Sequence, residues 1–307
     1  MAAPGDCAVM LPAIRERSSD QLLVALKAIS QLILTAMLLI AFMLLSFAED
    51  LAKQSQNPLG TVISLPFENN LYTGIGPSES LVNALNMKPA YPVRIGQWNL
   101  INRFILPVLY SEGQDVPVPA GGINIDAGYA GVIELSQGSA FGLGDLTYQA
   151  FFSPVDSGNW VWGIGPALVL PTATEDRYAS DKWSAGPVLV ALSMPGNWLY
   201  GILAQNVWSF AGDSGAADVN SLLFQYFLNY NLKDGWYLTS TPTITANWEA
   251  SSGNEWTVPL GGGFGRLVKH SKLPVDYKFA VYKNIEKPEF GADWNIQFTI
   301  KLLFPKN

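Results

Sequence analysis

From about residue 62 onward, apolar and polar side chains alternate with a period of two. Residues 293–305 show it most cleanly. Trp294, Ile296, Phe298, Ile300, Leu302 and Phe304 share one face, and Asn295, Gln297, Thr299 and Lys301 share the other. A slip of one residue would put Gln297 and Lys301 on the apolar face, so the register is tightly specified. Residues 222–231 repeat the pattern, with Leu222, Phe224, Tyr226, Leu228 and Tyr230 set against Gln225, Asn229 and Asn231. In 236–248, Trp236, Leu238, Ile244, Ala246 and Trp248 oppose a face of Tyr237, Thr239, Thr241, Thr243, Thr245 and Asn247. In 145–152, Leu146, Tyr148, Ala150 and Phe152 oppose Asp145, Thr147 and Gln149. Such alternation predicts half-buried strands.

Applied along the chain, it predicts strands near 62–74, 82–94, 97–111, 142–154, 159–171, 183–194, 197–210, 219–231, 235–248, 254–268, 274–284 and 293–305. The connections alternate in length. Short ones carry turn residues, as in Ile95-Gly96, Asp156 to Asn159, Pro195-Gly196-Asn197, Lys233-Asp234-Gly235 and His270-Ser271-Lys272. Longer ones fall between them at 75–81, 112–141, 172–182, 211–218, 249–253 and 285–292. About twelve strands, with tight turns at one end and free loops at the other, predict a single closed antiparallel transmembrane β-barrel, all-β, with periplasmic turns and outer loops. Trp98, Trp160, Trp183, Trp198, Trp236, Trp248, Trp256 and Trp294 fall at or near strand ends, where an indole ring meets a membrane–water interface. A secreted sandwich would alternate too, but its solvent face would carry charge. Here the polar face is mostly Thr, Asn, Gln, Gly and Tyr, which suits a narrow wet lumen.

The first fifty residues are different. Arg15, Arg17 and Lys27 precede an uncharged apolar run, Leu32 to Ala48, which ends in Ser46-Phe47-Ala48 before Glu49-Asp50. This is the pattern of a secretory signal peptide over 1–48, cleaved after Ala48; the alternative is an uncleaved transmembrane anchor. Residues 49–61 are polar and read as a short periplasmic segment or an inward plug; 62–305 read as the barrel. No later segment holds eighteen uncharged apolar residues, so a helical bundle is not expected.

Composition narrows the function. Only 14% of residues are charged and 49% are hydrophobic, with a net charge of −7, so nucleic acid is not an expected partner. One His and one Cys leave little material for a metal centre or Cys/His catalysis, and no cofactor, metal or enzymatic activity is expected. His270 falls in a predicted turn, out of hydrogen-bond reach of any nucleophile on the outer side. Gly261 to Gly265 lies within a strand pattern and does not open a helix, so it is not a phosphate loop. Glu175, Asp176 and Asp181 lack the spacing of a defined calcium loop.

Several motifs then occur together: PLGTVISLPFENN at 58–70, WNLINRFILP at 98–107, Gly142-Leu143-Gly144-Asp145, Gly163-Ile164-Gly165-Pro166, Pro171-Thr172-Ala173-Thr174, Lys182 to Pro187, Trp208 to Gly212, and Val258 to Gly263. With these the chain, over about residues 55–305, resembles the bacterial outer-membrane family named for the MetA pathway of phenol degradation. The resemblance implies a bacterial outer-membrane barrel that moves small organic molecules. One departure is that Phe304 is followed by Pro305-Lys306-Asn307, whereas such barrels usually end in an aromatic residue.

In a barrel, function is expected in the lumen. The inward candidates for a solute path are Arg103, Asp145, Gln149, Gln225, Asp276, Lys278, Gln297 and Lys301, since a charge survives there only if it is paired or wet. Tyr148, Trp162, Phe224 and Tyr226 read as lipid-facing. Loop 112–141 is long enough to be a lid. The expected partners are outer-membrane lipid, small, hydrophobic or aromatic, organic solutes, and the barrel-assembly machinery. The expected function is a passive uptake channel. The alternative is a closed barrel whose outer loops carry a structural or recognition role.

Overall fold

A computed structural model of the chain describes residues 51–113, 123–124, 132–133, 138–270 and 273–305. The expected signal segment at 1–48 lies outside the described residues, as does most of the expected lid at 112–141.

Among the described residues, fifteen extended segments in one sheet make twelve barrel strands. They are β1 (Ile63–Ile75), β2 (Ser80–Met87 continued by Ala90–Ile95), β3 (Trp98–Ser111), β4 (Ala140–Leu143 continued by Leu146–Pro154), β5 (Trp160–Leu170) and β6 (Lys182–Ser193). The second half holds β7 (Trp198–Gly212), β8 (Asn220–Asn231), β9 (Trp236–Ser240 continued by Thr243–Asn247), β10 (Trp256–His270), β11 (Leu273–Glu286) and β12 (Trp294–Phe304). Every strand pairs antiparallel with its neighbours in sequence. β1 then pairs with β12, from Ile63 opposite Phe304 to Thr73 opposite Trp294. The sheet is closed, and none of these twelve strands is left with an open edge.

The expected strands thus form, and three of them are interrupted. β2 breaks at Lys88-Pro89, where Pro89 has no N–H to donate and the Lys88 N–H turns to the Pro66 carbonyl at 2.9 Å. β4 breaks at Gly144-Asp145, and β9 at Thr241-Pro242.

The outer surface is that of a membrane barrel. Leu238, Leu260, Phe264, Phe279, Ile296 and Phe298 are exposed in the central band. All ten tryptophans are exposed, and they divide evenly. Trp98, Trp160, Trp162, Trp198 and Trp236 ring the end with the short turns, and Trp183, Trp208, Trp248, Trp256 and Trp294 ring the end with the loops. Edge-to-face pairs tie neighbouring rings together, with centroids 6.0 Å apart for Trp98 and Trp162 and 5.3 Å for Trp248 and Trp256. Two aromatic girdles around an apolar band are how a barrel is held at two interfaces. Exposing such a band to water would cost roughly 25 cal/mol per Å² of apolar surface, so lipid is its proper solvent.

Candidate functional site: the barrel interior

The inward side chains divide into two walls. Strands β3 to β7 contribute Ile101, Phe151, Ala167, Val169, Val188, Val190, Leu192, Leu199, Leu203 and Val207, which pack into one apolar cluster. Strands β8 to β12 and β1 to β2 contribute mainly amides, threonines and charges, among them Glu68, Asn70, Asn86, Gln225, Thr239, Thr245, Asp276, Asn295, Gln297 and Thr299.

Residues 51–60 enter the interior at the turn end. Residues 51–56 are helical. Leu51 and Ala52 pack on Leu267 and Leu303. The Ser55 hydroxyl donates to Asp276, and the Lys301 ammonium donates to the Ser55 carbonyl at 2.6 Å. Gln56 Nε2 donates to Asn231 Oδ1 at 2.8 Å. Leu59 reaches the apolar wall, where Gly163 leaves room for it; a Cβ there would lie 3.1 Å from Leu59 Cδ2. Small residues in the wall are therefore what allow the segment in.

At the loop end, the connection between β5 and β6 also turns inward. Asp145 is fully buried and gathers this loop: its carboxylate accepts from the N–H groups of Thr172 at 2.9 Å, Ala173 at 3.0 Å and Ser180 at 3.0 Å, and from the Ser180 hydroxyl at 2.6 Å. The loop sets Tyr178 among Tyr72, Val82, Ala84 and Leu109. The Tyr178 hydroxyl donates to the Ala140 carbonyl at 2.9 Å and meets the Ser111 hydroxyl at 2.9 Å. Burial raises the Tyr178 pKa above its ordinary value, so it stays a neutral hydroxyl.

Beside residues 54–60, mainly against the polar wall, lies a cavity of about 140 Å³. Its charged lining is Glu68, Lys88, Arg103, Asp276, Lys278 and Lys301. Glu68 takes Lys88 at 2.5 Å and Lys278 at 3.8 Å. Asp276 accepts from the Tyr237 hydroxyl at 2.8 Å as well as from Ser55. Tyr237 can lie flat there because Gly265, beside it on β10, has no side chain: a Cβ at Gly265 would collide with the ring. A second space of about 10 Å³ adjoins the first and shares Lys88, Arg103 and Gln225 with it. It holds roughly one water. Above it, Gln149 Nε2 donates to Gln205 Oε1 at 2.6 Å across the interior.

Of the candidates read from sequence, Arg103, Gln225, Asp276, Lys278 and Lys301 line the larger cavity. Gln149 lines the smaller one. Gln297 faces inward but is tied to Asn70 Oδ1 at 2.9 Å. Asp145 is the loop anchor and lines neither cavity. Sequence reasoning passed over Glu68, Lys88 and Tyr237. Glu68 shares its parity with Ser64 and Asn70 against Leu65, Phe67 and Leu71, a usable signal. Lys88 sits at the break before Pro89, where parity gives no direction. Tyr148, Trp162, Phe224 and Tyr226 lie on the outward face, as read.

Residues 78–202 match the family described as "Putative MetA-pathway of phenol degradation". The resemblance carried by the motifs is thus a finding over that span. No curated protein sequence matches the chain. In fold, the chain is similar to an outer membrane channel from Pseudomonas putida F1, at 13% identity and a TM-score of 0.55, over 79% of this chain and 94% of that one. It is more distantly similar to a FadL homologue from Pseudomonas aeruginosa (8% identity, TM-score 0.37, over 79% and 89% of the two chains) and to a monoaromatic hydrocarbon channel, CymD (10%, 0.38, over 83% and 92%).

Proposed function

We propose that this chain is an outer-membrane channel for passive uptake of small, hydrophobic or aromatic, organic molecules. The observation that carries the reading is an interior cavity with one polar, charged wall, inside a barrel whose outside is built for lipid. A barrel with only a structural role has no need of unpaired polar groups, yet buried Asn86, Thr147, Ser184, Thr245 and Thr257 have side-chain atoms without a partner among the described residues. The family match over 78–202 and the similarity in fold to an outer membrane channel support the reading. The two inserted segments give it a natural gate: a solute passes when residues 51–60 or the Tyr178 loop move aside. In this reading the short turns face the periplasm, a signal peptide over residues 1–48 directs export, and the chain is not an enzyme.

The same two insertions favour a second reading, a closed barrel whose outer loops do the work. Single-channel conductance in planar bilayers, followed by vesicle uptake of a phenol and a polar solute of equal size, separates the two. The expected result is stable conductance with faster uptake of the phenol, and larger conductance when residues 51–60 are deleted. A barrel that passes neither solute, with or without that segment, would move the function to the loops.

A further inference from the structure

Six charged side chains face the larger cavity, and they do not balance. Lys88, Arg103, Lys278 and Lys301 are cations; Glu68 and Asp276 are the anions. The lining therefore carries two positive charges in excess. Both carboxylates are already engaged. Glu68 is shared by Lys88 and Lys278, and Asp276 is held by Tyr237 and Ser55. Lys301 donates to a neutral partner, the Ser55 carbonyl. The Arg103 side chain makes no hydrogen bond and no ion pair within 4.0 Å among the described residues, although it borders both spaces. Inside a lipid-encased barrel, an excess of two cations over the anions that face them is far more costly than in water. A fork of guanidinium donors is shaped to take a planar carboxylate by two parallel hydrogen bonds.

We propose that this cavity is a binding site for a small organic monoanion, a single-ring carboxylate whose charged end meets Arg103 and Lys301. The rest of the lining fits the other end of such a molecule, since Val62, Pro66, Phe227 and Leu303 offer apolar surface beside the charges. Size agrees: the cavity is about 140 Å³, and an apolar cavity of about 150 Å³ takes one benzene ring. The proposal deepens the channel reading and rests on it, for it assigns that channel's interior a preference for anions over neutral aromatics.

The test uses the full protein, purified from membranes and reconstituted in lipid vesicles, with benzoate as probe and benzamide and chloride as comparisons. Saturable benzoate binding at least tenfold tighter than benzamide, and not displaced by equimolar chloride, is expected. Arg103→Gln is expected to weaken it at least tenfold. Glu68→Gln frees Lys88 and Lys278 and is expected to tighten it, a change of opposite sign that a misfolded barrel cannot produce. Equal binding of benzoate and benzamide, no benzoate binding, displacement by equimolar chloride, or no response to either variant overturns the site. Flux of benzoate and benzamide in the same vesicles separates this failure from failure of the channel. Flux without preference leaves the channel and removes the site. Binding without flux of either solute leaves the site and removes the channel.

Discussion

The two halves of the interior are built on one backbone pattern and packed by different physics. On β3 to β7, inward positions are mainly Ile, Phe, Val and Leu, most of them fully buried and in contact with each other, with Arg103, Gln149 and Gln205 as polar exceptions. On β8 to β12 and β1 to β2, inward positions are mainly Thr, Asn, Gln, Glu, Asp and Lys away from the two ends, and many reach partners only through networks such as Asn295 and Gln297 on Asn70. The first wall behaves as a protein core, where dense packing supplies stability. The second holds polar groups that packing alone would never retain. In a barrel, then, the interior is not one environment, and the wall that costs stability is the wall to suspect of function.

The largest expected effect is on the apolar wall. Phe151 is fully buried in it, and Phe151→Ala is expected to destabilise the barrel by about 3–5 kcal/mol. Tryptophan fluorescence during guanidinium unfolding in lipid vesicles would read this, with solute binding by the folded fraction unchanged. A loss below about 1 kcal/mol would mean that this wall is not the core it resembles. A middle effect is expected on the polar wall. Tyr237→Phe removes the 2.8 Å hydrogen bond to Asp276 and is expected to cost about 1.5–3 kcal/mol, because the acceptor is charged. The same unfolding experiment applies, and here binding in the cavity should also change. The smallest effect is expected at an unpartnered hydroxyl. Thr245 is buried and its Oγ1 has no partner among the described residues. Thr245→Val is expected to shift stability by no more than about 1 kcal/mol, in the stabilising direction if at all. A clear loss would show that its hydroxyl supports the fold and would blur the contrast between the walls.

Much of this was legible in the residues themselves. Strand parity separated Gln225, Asn229 and Asn231 from Phe224, Tyr226 and Leu228 correctly, because every strand has one face in lipid and a slip would bury charge there. It also placed Trp160, Trp198, Trp236 and Trp294 at the rims. Asp145 shows where parity stops. It has the inward parity, but it sits at a strand break, and a carboxylate at a break is free to collect loop N–H groups.

What the chain determines alone is local and periodic: strand count, register, the lipid face, the girdles, and the alternation of short and long connections. These follow from near-neighbour parity and turn chemistry, and closure into a barrel follows from their consistency. What only the tertiary structure decides is which inward residues meet. Glu68 on β1 finds Lys88 and Lys278 from two other strands, and Ser55 finds Asp276 across 221 residues. Inward parity is the same for an isoleucine on β3 and a lysine on β11; that the first belongs to a dry wall and the second to a charged cavity depends on strand order, strand stagger and the segment folded between them. Those are properties of the closed sheet, and no single strand carries them.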